Sequence, residues 1–428
     1  MAGSSNDDVQ IQIDALCTAL TTGVPYTSGL HTVKHDDLVV YYELEGETRP
    51  CRIDLSKASD AELVALNAAC QQATFGVGGN DVLDENYRKA GKMDVQNFSL
   101  RFDVAALLEK VSPEILHGRG HNKVIEENKF LRAEMYKLNV YGPGSFFKAH
   151  KDTPRGEDMI GSLVVVFPTN HEGGALTLEH GGKNWVFDSA AELSAVSESP
   201  SIAYIAFYSD VTHTVETVNA GYRVTLTYNL FVASRNDGID TIQRNISEPE
   251  RAFEKGLRAL LANPSFLPSG GFLAFGLAHQ YPIPVKPLLR AGRLRGRGLP
   301  GILPLLKGND ALIRAISEHV GLETQLKVHY ITDQIGRDIL ADDVIQTGHI
   351  VEDQGELQDQ LEELGEPVHG SDDDDPAGVV VVWVTELTEL NPVEATYVAY
   401  GNEASTGHIY GDVALFVEIP EVGEGIRA

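Results

Sequence analysis

The spacing of apolar and polar positions changes character three times along the chain. Over residues 9–70 the patterns are mixed. Residues 35–44 alternate and are rich in β-branched and aromatic side chains, as a strand requires, while residues 59–72 carry apolar positions at helical spacing behind a Ser59 and Asp60 start signal. Residues 103–116 also read as helix, with Pro113 expected to break it. From Phe130 onward short strands take over. Residues 130–141 form the first, residues 160–167 are so continuously apolar that both faces must be buried, and residues 173–180 and 185–187 flank a Gly181-Gly182 hairpin signal. Residues 202–208 lead toward His213, and residues 218–221 read as the turn before a strand at Arg223. Eight short strands with tight turns predict a jelly roll within an α+β chain. After Ser234, helices are expected at residues 248–261 and 309–320. Strands are expected near residues 270–277, 379–385, 395–400 and 413–419, where they would extend or flank the core sheet.

Composition narrows the function classes. The 428 residues carry 62 acidic and 34 basic side chains, a net charge of −28, which opposes the clustered cations that nucleic-acid binding needs. Part of the excess is local. Between Glu352 and Asp375 lie eleven acidic residues and no Lys or Arg, and residues 352–377 read as a disordered acidic insertion. No apolar run is long enough to span a membrane, and the first residues lack the basic and apolar regions of a secretory leader. The expectation is an intracellular protein, in cytoplasm or nucleus. Three cysteines (Cys17, Cys51, Cys70), odd in number and without C-x-x-C spacing, indicate neither a disulfide framework nor a zinc site.

The candidate chemistry lies between Tyr141 and Arg223. In an extended strand positions i and i+2 share a face, so His150 and Asp152 point the same way. A second imidazole, His213, would complete two nitrogens and one carboxylate on one side of a cation, the facial set that leaves coordination positions open and suits non-haem Fe(II). Arg223 offers a planar fork matched to a carboxylate, with Thr225 and Thr227 on its own strand face. A second H-x-D pair, His35 and Asp37, has no Gly-Gly, His and Arg following in order, so it reads as a coincidence. The glycines of residues 73–81 lack the lysine of a phosphate loop. The plainer reading there is a turn that packs Phe75 on the core, the sharper one a lid over the metal.

The order Tyr141, His150-x-Asp152, Gly-Gly, His213, Arg223 resembles the Fe(II)- and 2-oxoglutarate-dependent dioxygenases, in particular the prolyl 4-hydroxylase-like branch, over residues 131–233. Blocks outside that range look like uncharacterised fungal members of the superfamily. The resemblance implies a double-stranded β-helix of cupin type, with residues 1–130 bracing it, 234–351 as a helical and strand region and 378–428 as C-terminal strands. It implies Fe(II) on His150, Asp152 and His213, and 2-oxoglutarate held by Arg223, Tyr141 and Thr225, with no further catalytic side chain. O2 is consumed, succinate and CO2 are released, and ascorbate serves as an accessory reductant. The branch implies hydroxylation of a prolyl or similar residue in a protein. A small-molecule oxygenase and a cupin-like binding protein without turnover are the alternatives, and loss of the Asp or Arg would mark the last.

Overall fold

A computed structural model describes residues 3–20, 23–44, 50–77, 80–116, 129–156, 158–195, 199–234, 248–283, 288–290, 293–295, 298–331, 338–345, 350–351, 361–369, 378–399 and 405–427. The chain divides into two compact units, one containing residues 24–116 and 128–238 and the other residues 1–23 and 239–428.

The first unit is built on a seven-stranded antiparallel sheet. Its strands run in the order Tyr26–Thr32, Ser201–Tyr208, Met159–Val166, Arg223–Ser234, Lys129–Tyr141, Gly91–Asp94 and Gln71–Gln72. Ser201–Tyr208 is buried at all eight positions and Met159–Val166 at seven, because each lies between two neighbours and is covered on both faces. Arg223–Ser234 alternates instead: Val224, Leu226 and Leu230 join the apolar core, while Arg223, Thr225, Thr227 and Asn229 line cavities. A five-stranded sheet, Lys183–Phe187, Leu176–His180, Thr212–Val215, Phe146–His150 and Arg88–Lys89, contributes to the same core. The Gly181-Gly182 hairpin forms as expected, both glycines having positive φ (53° and 71°).

Several expectations need correction here. Residues 218–221 form a strand, Val218–Gly221, paired with His171–Gly173. His35–Leu38 is a 3-10 turn, and only Val39–Tyr42 is strand. Helix Ala105–Ile115 runs through Pro113, whose ring falls in the last turn, where the loss of one amide donor does not interrupt a following turn. The helix expected after Ser59 is present as Asp60–Ala69, closed by a reciprocal capping box between Ser59 and Glu62.

The second unit has its own core and its own sheet, so the C-terminal strands do not extend the first sheet. Strand Ser405–Ile419 is its axis. Pro392–Ala399, Thr324–Tyr330 and Gly271–Gly276 all pair with it. The N-terminal helix Gly3–Leu20 belongs to this unit rather than to a brace for the oxygenase-like region. Ile13, Leu16 and Leu20 share a buried cluster with Phe253, Leu257 and Leu260 of helix Glu248–Leu261. Gly321 closes helix Gly308–Val320 in the left-handed conformation (φ 97°). Within the acidic stretch, residues 361–369 are ordered. Leu361 is fully buried, Glu366–Pro367 pairs with Ile339–Ala341, and Val368 bridges Val379, so a disordered insertion over 352–377 does not hold for this part. Residues 352–360 and 370–377 lie outside the described residues. Among the described residues no helix is long and apolar enough to cross a membrane. The three cysteines are unpaired.

Candidate metal centre

His150 and His213 face each other across two paired strands of the five-stranded sheet, as registered partners. Asp152 follows two residues after His150, just beyond the strand end. One ligand atom from each of the three lies within 4.8 Å of the others, and His213 Nε2 stands 3.8 Å from Asp152 Oδ1. Both rings are oriented from behind. His150 Nδ1 donates to the Lys148 carbonyl (2.8 Å) and His213 Nδ1 to the Val211 carbonyl (3.1 Å). A carbonyl only accepts, so each Nδ1 carries the proton and each Nε2 keeps a lone pair for the cluster. Phe147 stacks on His150 at 3.4 Å between centroids, and Phe207 tilts against His213 at 4.6 Å. Burial, and then the neighbouring His213, push the His150 imidazole down to about 2, so it stays neutral and able to ligate. Asp152 Oδ2 accepts a bond from Ser162 Oγ, which leaves Oδ1 for a cation. Two imidazoles and one carboxylate on one side of a gap are a donor set that fits Fe(II).

The same gap continues inward to Arg223. Arg223 is 1% exposed, the largest fully buried side chain among the described residues, and its Nε and Nη2 have no hydrogen-bond partner among them. Burial lowers it to about 10, with Tyr141 opposing the shift, so it remains a cation. Tyr141 is its registered partner on the next strand, the Arg223 Cζ lying 5.7 Å from the ring centroid. A buried charge with unmet donors is costly unless a counter-ion arrives, and a bidentate carboxylate meets that need. Tyr141, Arg223, Thr225, His150, Asp152 and His213 all line one cavity of about 100 Å³. His171 is buried nearby, and burial first, with the Arg223 cation adding to it, holds its imidazole below the ordinary range. Its Nδ1 is bonded to the Thr169 carbonyl and its Nε2 has no partner.

Residues 136–231 match the family model of the 2OG-Fe(II) oxygenase superfamily. This segment is a 2OG-Fe(II) oxygenase domain. The family carries Fe(II), 2-oxoglutarate and O2 as its cofactor set, and the donor set and unmet guanidinium just described fit the first two. No curated protein sequence matches the chain. Among solved structures, a 2OG-Fe(II) oxygenase family oxidoreductase from Burkholderia pseudomallei is 25% identical over 23% of this chain and 46% of its own, less than half its length, with a TM-score of 0.19. A Pseudomonas putida prolyl-4-hydroxylase is 16% identical over 51% of this chain and 99% of its own (TM-score 0.30). A Trichoplax adhaerens prolyl hydroxylase, solved with a hypoxia inducible factor peptide fragment, is 14% identical over 54% and 93% (TM-score 0.28).

The oxygenase domain opens outward through a second cavity of about 310 Å³, whose lining includes His150 and Asp152. Thr74, Phe75, Gly76, Tyr87 and Arg88 form part of its wall, so the segment both packs Phe75 on the core, as expected, and lines the approach to the metal residues. The period-two alternation of a strand does not reveal this, because the wall is closed by a pairing between distant strands, Arg88 opposite Phe147. Arg88 is buried. Its Nη1 donates to the Thr74 carbonyl (2.7 Å) and its Nη2 to Asn139 Oδ1 (2.9 Å), and its guanidinium lies 4.3 Å from the Phe147 centroid. Ser162 and Asn139 were legible only as single polar residues interrupting apolar strands.

Proposed function

We propose that the first unit is a double-stranded β-helix oxygenase that hydroxylates an unactivated C–H bond on a protein substrate, on a prolyl or similar residue. The observation that carries the oxygenase reading is the pairing, in one cavity, of an open His150–Asp152–His213 cluster with the buried, unmet donors of Arg223. When bound, Fe(II) with 2-oxoglutarate and O2 supplies the oxidation of the C–H bond, 2-oxoglutarate leaving as succinate and CO2. The protein supplies position. The Lys148 and Val211 carbonyls hold the imidazoles in one tautomer, Ser162 fixes one carboxylate oxygen of Asp152, and Arg223 with Tyr141 receives the far carboxylate of 2-oxoglutarate. Thr225, 1% exposed and two residues along the same strand, lines the path between. No side chain is required as a general base.

The 310 Å³ of the outer cavity suits one projecting side chain or a small metabolite. That size favours a small-molecule oxygenase as the second reading. The test is an anaerobic titration of the purified chain with Fe(II) and 2-oxoglutarate, followed by a succinate assay against separate pools of proline-containing peptides and metabolites. Stoichiometric Fe(II) and 2-oxoglutarate binding with peptide-stimulated succinate is expected. Stimulation by metabolites alone would move the substrate to the second reading, and no 2-oxoglutarate binding would overturn the oxygenase itself.

A further inference from the structure

Acidic residues outnumber basic ones 62 to 34, so a cation in this chain has an abundance of carboxylates to pair with. Many do pair: Arg258 with Glu254, Arg314 with Glu318, and Lys327 with Asp342. Three that do not share one place. Lys137, Arg155 and Arg88 all line the outer cavity above the metal residues, where Lys151 joins them, and Lys137 and Arg88 also reach the inner cavity. Lys137 Nζ meets only the ring of Tyr136, at 4.6 Å. Arg155 donates to the Tyr136 hydroxyl (2.6 Å) and lies 5.2 Å from the same ring. Arg88 bonds a carbonyl and an amide oxygen, and its Nε is buried without a partner.

The placement of Lys137 is built into the sheet. Strand Lys129–Tyr141 follows Arg223–Ser234 in register until Met135, then skips a residue, so that Lys137 sits opposite Thr227. This bulge lets the adjacent residues Tyr136 and Lys137 both face the cavity, which plain alternation forbids. Two carboxylates also reach the lining, and neither neutralises the group. Asp152 belongs to the metal cluster, and Asp81 is exposed on the hairpin Phe75–Val77 and Asn80–Val82. The charges of Fe(II), Asp152, doubly ionised 2-oxoglutarate and Arg223 cancel one another. Loading the site therefore adds no net negative charge to offset these cations.

We propose that Lys137, Arg155 and Arg88 form an anion subsite at the mouth of the cavity, so that the enzyme selects a substrate carrying a carboxylate or other anionic group beside the C–H bond it oxidises. This rests on the oxygenase reading. The Tyr136 ring holds the two more exposed cations side by side, and Arg88 forms the buried floor of the subsite. Against a chain of net −28, a local cationic mouth also admits an anion that the rest of the surface repels.

The test loads the full chain with Mn(II), which supports no turnover, and 2-oxoglutarate. It is then exposed to a mixture of anionic, neutral and cationic proline-containing peptides and carboxylate metabolites, and the retained ligands are identified by mass spectrometry. Retention of anionic ligands is expected, peptides or metabolites according to the substrate source. In Lys137→Glu and Arg155→Glu their affinity should fall about tenfold or more in each, the scale of one charge-assisted contact, while in Arg155→Glu, which lies outside the inner cavity, Mn(II) and 2-oxoglutarate bind as in the parent. Lys137→Gln should lie between. Retention of neutral or cationic ligands, no retention, or an unchanged set in both reversals would overturn the subsite. Failure of the parent to bind 2-oxoglutarate would instead remove the reading beneath it.

Discussion

Gly174 lies against Arg223. A Cβ built at Gly174 would stand 3.0 Å from Arg223 Cδ and 2.8 Å from Val218 Cγ2, and the backbone there has a φ of +70°. The Gly-Gly step in the sequence motif thus has a spatial meaning: it lets the chain press onto the aliphatic stem of the buried arginine. Gly174→Ala should destabilise the fold by about 1 kcal/mol or more for the left-handed conformation alone, and the displaced Arg223 should weaken 2-oxoglutarate binding. Thermal unfolding and 2-oxoglutarate titration on the same variant check both; a variant matching the parent in each would show the contact to be slack.

Metal binding and co-substrate binding should separate by residue. Asp152→Ala and His213→Ala are expected to lose Fe(II), measured by metal analysis after dialysis. Arg223→Ala is expected to keep it and bind 2-oxoglutarate more weakly by about 2–5 kcal/mol, with Arg223→Lys between, since it keeps charge but not the fork. Ser162→Ala leaves the three ligands in place but frees one Asp152 oxygen. Its metal affinity should fall about 10- to 100-fold. Equal metal affinity in Ser162→Ala and the parent would mean that Asp152 is oriented by other contacts.

How far the sequence could be read depended on whether the information was local. Arg223, Thr225 and Thr227 share a face because strands alternate, and that needs no partner strand. Ser59 and Glu62 announce a helix start within four residues. Arg88 and Lys137 could not be found this way, because one acts through a strand pairing with residue 147 and the other through a bulge that breaks the alternation. The strands near residues 381–385 and 405–419 were legible as strands, but nothing in their pattern says which of two cores they join. Residues 361–369 read as solvated from their charge, whereas the buried Leu361, with Val368 packed on a second apolar cluster, anchors them.

That anchor gives a stability prediction. Leu361→Ala removes a fully buried side chain and should cost about 2–5 kcal/mol, seen as a lower midpoint in denaturant unfolding. A change below about 0.5 kcal/mol would return the segment to the status of a solvated insertion.

The cysteines should differ in reactivity. Burial raises the Cys70 thiol to about 12, so almost none of it is thiolate at neutral pH. In timed alkylation of the native protein followed by peptide mapping, Cys70 is expected to label more slowly than after unfolding by a wide margin. Labelling at the unfolded rate would place it at the surface.

Helix Gly3–Leu20 precedes the oxygenase domain in the chain, yet the helix it packs on, Glu248–Leu261, emerges only after that whole domain has left the ribosome. Until then Ile13, Leu16 and Leu20 have no permanent cover. The nascent chain therefore carries an uncovered apolar face while the oxygenase domain is made, and the second unit closes late, by joining a segment that precedes that domain in sequence to segments that follow it. An expression clone that omits residues 3–20 would leave Phe253, Leu257 and Leu260 bare, and its product would be lost to inclusion bodies rather than to inactivity.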